Sequence, residues 1–475
     1  MMKIDRHDNI PIWKQLLDQM LDNITSGKWR AGYQLPPTRE LAQQLEVARS
    51  TVQAVYEELF SRGYTVTSRR GGTRVSDWNQ PIVSKEERSA HRLTPPPIPV
   101  LEEATNRLYE WSGGHKKNAA AIDFSPHEPY VDHLFLKKWR QSFLHASDNA
   151  DLSSWTHGDS LGYKPLRNQI QNYLSVNRGI HVDIDQILLT SGTQQSIDLI
   201  SQSLLLEGDT VAVEDPGFPP AWLTMMYRNM NVMPVPVDQE GIIAYNVPKQ
   251  SKLIFVTPSH QAATGAIMSI KRRRQLFELA IRNQSWIIED DYDSEFRYSG
   301  EPLPTLFSQE PECTLYLMSF SKLIAPGIRI SAIIGPVEAI AQLARVRTLT
   351  ARHLPIMEQL TLSHFIEHGH FMRHMRRIRN IYRRRHEAMI KAIASSKLGE
   401  VFSVKGVETG LHMLLEADGD FNEKEMTNKA LKNGVRVYPL STYCLNSRRK
   451  GWVLGYSKVD EETITQGISR LSETI

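Results

Sequence analysis

Between Ile187 and Ser331 the sequence repeats one arrangement: an apolar run that stops at a short turn of small, polar and acidic residues. Ile187-Leu188-Leu189 runs into Thr190-Ser191-Gly192-Thr193-Gln194-Gln195, and that turn leads on to Ile197-Asp198-Leu199-Ile200. Thr210-Val211-Ala212-Val213 runs into Glu214-Asp215-Pro216-Gly217-Phe218. Phe255-Val256 runs into Thr257-Pro258-Ser259-His260-Gln261-Ala262-Ala263-Thr264-Gly265, and Trp286-Ile287-Ile288 into Glu289-Asp290-Asp291-Tyr292-Asp293. Short apolar runs bounded by turn residues read as buried strands. The first turn opens a helix, whose free N–H groups and positive dipole end suit a phosphate. Chemistry-bearing residues at successive strand ends mark a ligand site along one edge of a sheet.

The last segment of the series, Ser319-Phe320-Ser321-Lys322-Leu323-Ile324-Ala325-Pro326-Gly327-Ile328-Arg329-Ile330-Ser331, places one lysine among small, hydroxyl and apolar residues and follows it with one arginine. A lysine in apolar surroundings has a lowered pKa and acts as a neutral amine nucleophile. Such an amine forms a Schiff base with an aldehyde, and the usual protein-bound aldehyde is pyridoxal 5'-phosphate, PLP. The serines and Arg329 would hold the phosphate by charge-assisted hydrogen bonds. Phe218 would stack on the pyridine ring. A carboxylate at the end of the 286–288 strand would pair with the ring nitrogen and make the ring an electron sink.

From about residue 119 to 475 the chain resembles the fold type I aminotransferases, on the order and spacing of SGTQQ, EDPGF, TPSHQ…TG, EDDYDSEFRY and SFSKLIAPGIRIS. The resemblance implies an α/β fold with Lys322 as the Schiff-base lysine and catalytic position. It implies Asp290 at the pyridine nitrogen, Tyr292 at the ring hydroxyl and Phe218 stacked on the ring. Gly192, Thr193, Gln194, Ser319 and Arg329 would surround the phosphate.

The N-terminal stretch follows a different period. Trp13, Leu16, Leu17, Met20, Leu21 and Ile24 recur at helical spacing, and Gly27 ends the run. Thr38 reads as the N-cap of a second helix that turns Leu41, Ala42 and Leu45 to one face. Glu46-Val47-Ala48 makes a turn. A third helix starts at Arg49-Ser50-Thr51, points Val52, Val55, Tyr56, Leu59 and Phe60 inward, and stops at Gly63. Two short strands then flank Arg69-Arg70-Gly71-Gly72. This is the pattern of a winged helix-turn-helix, whose recognition helix would present Arg49, Ser50 and Gln53 to DNA while Arg70-Gly71 enters the adjacent minor groove. Residues 1–76 hold eleven Lys and Arg against eight Asp and Glu, so the field is modest and the contacts must be local. The run from Leu35 to Gly71 resembles the GntR-type DNA-binding domain. That resemblance implies DNA contacts at Arg39, Arg49, Ser50, Gln53, Arg70 and Gly71.

Three segments are therefore expected: a head at 1–76, a linker at 77–118 with prolines at 95–97 and 99, and a body at 119–475. Proline-rich linkers are semi-rigid spacers. In the body, the basic run His370 to Arg385 carries Phe371, Met375, Ile378 and Tyr382 three or four apart. One face is thus buried, and the arginines line either a solvated face or a second surface for DNA phosphates. A GntR-type head on an aminotransferase-like body is similar to the MocR/GabR-type transcription regulators. That resemblance implies a head-to-tail homodimer bound to a double-stranded operator. It further implies PLP or an amine as effector, control of vitamin B6 or amino-acid metabolism genes, and sensing rather than turnover. A catalytically active aminotransferase carrying a DNA-binding head is the alternative. Arg449 would grip an effector carboxylate, with Arg448 and Lys450 as rival positions. Two departures stand out: Ala262-Ala263 replaces the usual Phe-Pro, and Pro220 stands where GABA-responsive members carry a second arginine. The missing clamp argues against an ω-amino acid effector.

Composition closes off other classes. A chain of 475 residues exceeds one core. With 41% apolar and 23% charged residues it is globular rather than disordered. Cys313 and Cys444 are too few and too far apart for a disulfide framework or a metal cluster, which fits a cytoplasmic protein. The start lacks an apolar signal region, and no apolar run reaches membrane-spanning length.

Overall fold

A computed structural model describes residues 2–6, 8, 10–68, 72–77, 107, 111, 122–126, 128–156, 158–300 and 303–475. The chain divides into two compact units, Met1–Pro99 and Val100–Ile475.

In the first unit, α1 (Ile12–Thr25), α2 (Thr38–Gln44) and α3 (Arg49–Ser61) precede an antiparallel hairpin of β1 (Thr65–Ser68) and β2 (Gly72–Val75). Leu16, Leu17, Met20 and Ile24 of α1 meet Leu41 and Ala42 of α2, Val52, Val55, Tyr56 and Leu59 of α3, and Val75 of β2 in one buried cluster. Tyr56 caps it by donating its hydroxyl proton to the Pro36 carbonyl at 2.7 Å. Three details differ from the sequence pattern. Pro37, extended at ψ 141°, is the N-cap of α2, so Thr38 already lies in the first turn. Phe60 is 55% exposed, because Val52, Val55, Tyr56 and Leu59 complete the inner stripe and the next residue falls about 100° round the helix. Trp13, in the first turn of α1, is also left largely exposed. Arg70 and Gly71 at the hairpin tip lie outside the described residues, as does the proline cluster of the linker; of 78–121 only Arg107 and Trp111 are described, both helical.

The second unit opens with β3 (Ile122–Asp123). Its main sheet comprises β4 (Ile187–Thr190), β5 (Thr210–Asp215), β6 (Asn231–Asp238), β7 (Gly241–Ile242), β8 (Leu253–Val256), β9 (Trp286–Asp291), β10 (Thr314–Ser319) and β11 (Ser331–Ile334). Their order is β4-β11-β10-β9-β8-β5-β6-β7. The run β10-β9-β8-β5-β6 is parallel, and β11 runs antiparallel between β10 and β4. The strand interiors are buried on both faces, which is why they read as unbroken apolar runs. Leu188, Val211, Val213, Leu317 and Ile333 face helices 193–204 and 337–350. Leu189, Tyr316, Met318 and Ala332 face helices 164–178, 356–367 and 370–394.

A smaller sheet follows. It pairs β12 (Phe402–Lys405), β13 (His412–Ala417), β15 (Tyr438–Pro439) and β16 (Gly451–Gly455) in the order β12-β13-β16-β15, while β14 (Val435–Arg436) pairs with β3. The helix His370–Ala394 buries Phe371, Met375, Ile378 and Tyr382 as its spacing predicts. Its basic residues divide. Arg385 is buried and donates to the Ser457 carbonyl, Arg377 pairs with Asp132, and Arg384 reaches Glu461 at 3.0 Å. Arg373, Arg376, Arg379 and Arg383 remain exposed. No helix among the described residues is long and apolar enough to cross a membrane.

Candidate functional site

Parallel strands β5, β8, β9 and β10 deliver their C-terminal ends to one edge of the main sheet, and β4, antiparallel to β11, ends there too. Ser331 at the start of β11 pairs with Thr190 at the end of β4 and with Ser319 at the end of β10. Gly192, Phe218, Asp290, Tyr292, Ser319, Lys322 and Arg329 therefore share one sheet edge.

Lys322 sits in the single helical turn that follows β10. Burial lowers its amine to about pKa 8, against the opposing pull of Asp293 and Asp290. Asp290 is 4% exposed, and its Oδ1 has no hydrogen-bond partner. Burial, then repulsion from Asp291 and Asp293, raises its carboxyl to about pKa 8, with Lys322 pulling the other way. The pocket thus holds a buried carboxyl group with one bare oxygen, a setting that favours a cationic N–H donor.

At the phosphate-like end, Gly192 adopts φ 114° and is the N-cap of helix 193–204. A Cβ there would lie 2.7 Å from the Arg329 guanidinium, and φ 114° is a backbone conformation that glycine adopts without strain. Arg329 is itself in the left-handed region at φ 52°. The guanidinium thus lies against the Gly192 N-cap of a helix whose first-turn N–H groups, those of Thr193 and Gln194, have no acceptor within the helix. Ser319 Oγ accepts from Ser321 N–H at 3.3 Å and bonds Ser331 Oγ at 3.2 Å.

Phe218 leads a helix from a turn pinned on several sides. Gly217 N–H donates to the Tyr443 carbonyl at 2.9 Å, and a Cβ at Gly217 would lie 2.2 Å from the Glu214 carbonyl. The Asp215 carboxylate accepts from the N–H groups of Leu445, Asn446 and Ser447. The Phe218 ring stacks on Phe255 at 6.5 Å. Tyr292 donates its hydroxyl proton to the His260 carbonyl at 3.0 Å, and His260 Nδ1 lies 2.8 Å from Asp293. Burial drives the Tyr292 phenol far above its usual range.

Two organising residues went unassigned in the sequence. Gln261 accepts through Oε1 from Ala263 and Thr264 and donates through Nε2 to the Pro216 carbonyl at 2.7 Å. It ties the 257–265 loop to the turn that carries Phe218. Buried Glu214 accepts from Thr257 Oγ1 at 2.6 Å, and burial raises it to about pKa 7. Both lie inside the motifs, but a loop glutamine gives no sequence signal of the backbone it will hold.

Arg449 is placed elsewhere. Its Nε pairs with Glu416, which also binds Lys405, and its guanidinium lines a cavity of about 780 Å³. Val237, Thr264, Lys405, Gly406 and Glu416 line that cavity, whereas Lys322, Asp290, Tyr292 and Phe218 do not. Arg448 and Lys450 join Arg449 along a second cavity beside Asp420 and Glu423.

In the head, Arg39, Arg49, Ser50 and Gln53 are all exposed. Arg49 and Ser50 begin α3 on its solvent side, and Gln53 bonds Glu57 one turn on at 3.0 Å.

Residues 13–75 match the family described as bacterial regulatory proteins, gntR family, and residues 121–471 match aminotransferase class I and II. The chain is 34% identical to the HTH-type transcriptional regulator YdeL of Bacillus subtilis, over 98% of this chain and 97% of that protein. It is 27% identical to the probable rhizopine catabolism regulatory protein MocR of Rhizobium meliloti, over 99% and 95% of the two chains. It is also 27% identical to the pyridoxine biosynthesis transcriptional regulator PdxR of Corynebacterium glutamicum, over 99% and 98%. Among solved structures, kynurenine aminotransferase of Pyrococcus horikoshii in complex with PMP superposes at TM-score 0.70 with 25% identity, covering 79% of this chain and 94% of that one.

Proposed function

The chain belongs to the MocR type of transcription regulators, with a gntR-family head and an aminotransferase class I and II body, and on that premise we propose that the body binds PLP through Lys322 and turns its presence into a change in operator binding by the head. The observation that carries this is the pairing of the depressed Lys322 amine with the bare, buried Asp290 Oδ1 at one sheet edge. PLP, when bound, supplies an aldehyde for the amine and a pyridine ring that draws electrons.

The residues fit that group. Asp290, a buried carboxyl group with one bare oxygen, would hold the ring nitrogen of that group by a hydrogen bond or ion pair. Arg329, the Thr193 and Gln194 N–H groups and Ser319 offer charge and donors to a phosphate. Phe218 offers a ring face and Tyr292 a hydroxyl. Titrating dialysed protein with PLP tests this: a visible absorbance band that saturates at one PLP per chain supports it, and no band refutes it.

The sign of the pH dependence follows from Lys322. Its amine is protonated below about pH 8 and neutral above. The rate of covalent PLP capture is expected to climb roughly tenfold per pH unit up to that point and then level off, since only the neutral amine attacks. Stopped-flow absorbance across pH 6 to 10 reads this directly, and a rate independent of pH would remove Lys322 from the role.

At the head, exposed Arg49 is proposed to read a base edge. Arg49→Ala should weaken specific operator binding by about 1–3 kcal/mol while leaving the PLP band unchanged. Were Arg49 a phosphate contact, the loss would be equal on all sequences and the salt slope would fall by about one. No change in a filter or fluorescence titration would exclude Arg49 from the DNA surface.

A homodimer of bodies is supported by apolar side chains left in solvent, among them Leu136, Phe143, Leu152 and Leu349. As effector, PLP is favoured over an amino acid. A carboxylate arriving at Arg449 would meet a guanidinium already paired through Nε with Glu416, whose carboxyl is held below its usual range by Arg449 and Lys405. Similarity to a pyridoxine biosynthesis regulator supports the same choice and a link to vitamin B6 genes. The alternative, an active aminotransferase with a DNA-binding head, is less favoured because the full-length relatives are regulators.

A further inference from the structure

Trp111 stands edge-on to Phe218, with ring centroids 5.8 Å apart and planes at 86°. Phe218 is therefore held in an aromatic set, stacked near-parallel on Phe255 on one side and met by the Trp111 indole. The backbone beneath it is fixed by Gly217 N–H to the Tyr443 carbonyl and by Gln261 Nε2 to the Pro216 carbonyl. With the turn immobilised, the freedom left to Phe218 is the attitude of its ring. An edge-to-face partner sets that attitude, because the ring quadrupole rewards one tilt over others. Trp111 is half-buried and belongs to the stretch that precedes the first strand of the body and follows the head in sequence.

We propose that Trp111 is a positioning residue for the cofactor. It fixes the tilt at which Phe218 meets the pyridine ring, and the occupied ring pocket in return fixes Trp111. The inference rests on Phe218 being the ring-stacking residue. Its consequence is regulatory. Coupling is reciprocal, so whatever affinity Trp111 lends to PLP is the preference that PLP lends to the seated state of Trp111. The chain between head and body is thereby tied to the contents of the pocket at one side chain.

The experiment uses the full chain and PLP itself. Visible-band titrations on wild type, Trp111→Ala and Trp111→Phe are expected to show about three- to tenfold weaker PLP binding in the alanine variant, the scale of one aromatic edge contact, with most of the affinity kept by phenylalanine. Energy transfer from excited tryptophan to bound PLP should drop in Trp111→Phe although its pocket is filled. Tryptic cleavage after Arg107, one helical turn before Trp111, should slow on PLP addition in wild type and not in Trp111→Ala. Unchanged affinity in Trp111→Ala with undiminished protection would overturn the proposal, as would tighter binding. So would unaltered energy transfer in Trp111→Phe. If wild type forms no visible band, the PLP reading itself fails; a normal wild-type band with indifferent Trp111 variants defeats this inference alone.

Discussion

Lys322→Ala is expected to yield a folded, DNA-competent protein that forms no covalent link to PLP. The loss should be complete, because the change removes the reacting amine. The fold should survive. Lys322 lies in a single turn beyond β10, and the strands that carry the core, β9 and β10, keep their parallel register without it. Removing a cation whose pKa burial already depresses relieves a desolvation cost instead of opening an apolar cavity. The Arg329, Gly192 and helix 193–204 cradle remains, so PLP should still bind reversibly and wash out on dialysis. Borohydride reduction followed by peptide mass spectrometry decides the matter. Wild type should carry the adduct on the peptide containing Lys322 and the variant should carry none. An adduct at full yield on another lysine would refute the assignment.

The second large effect concerns DNA. Two heads on a dimer turn the second half-site into an intramolecular target, and linked sites exceed single ones by about 10²–10⁴ when the spacing fits. The head has a core of its own, formed by Leu16, Met20, Leu41, Val55, Leu59 and Val75 among others. It should therefore bind one half-site alone, weakly and with the steep salt dependence of phosphate contacts. The full chain is expected to bind a two-half-site operator, selected from random-sequence DNA, within that 10²–10⁴ range above a single half-site. Shifting one half-site by half a helical turn should remove most of the gain, since the second recognition helix then faces the wrong side of the duplex. Equal affinity for one and two half-sites would argue that the heads act singly.

How far the sequence foretells this depends on the residue. Strands β4, β5, β8 and β9 were legible because both faces are covered, which writes burial into the chain as continuous apolar runs. Their terminal motifs were legible for the related reason that ligand chemistry collects where parallel strands end. The inner stripes of α1 and α3 were legible from helical spacing, but the ends of those stripes were not. Trp13 and Phe60 fit the period as well as Leu17 or Leu59, and only the packed helices show that the stripe stops short of them. Arg449 illustrates a deeper limit. An arginine in the run Arg448-Arg449-Lys450 has no mark in sequence showing that Glu416, on β13, already holds it. The converse holds for Gln261 and Asp215, whose importance lies in the backbone N–H and carbonyl groups they hold together across loops distant in sequence.

Head and body are expected to act as one energetic system, coupled through PLP binding. Titrating the selected operator with wild type and Lys322→Ala, each with and without saturating PLP and on operators of both half-site spacings, tests it most directly. A ligand shifts an equilibrium only by its difference in affinity for the two states, and DNA must return the same factor to PLP. The predicted result is a PLP-dependent change in wild-type affinity that depends on half-site spacing and is mostly lost in Lys322→Ala. Affinities that ignore PLP in every arm, for both proteins and both spacings, would contradict the account.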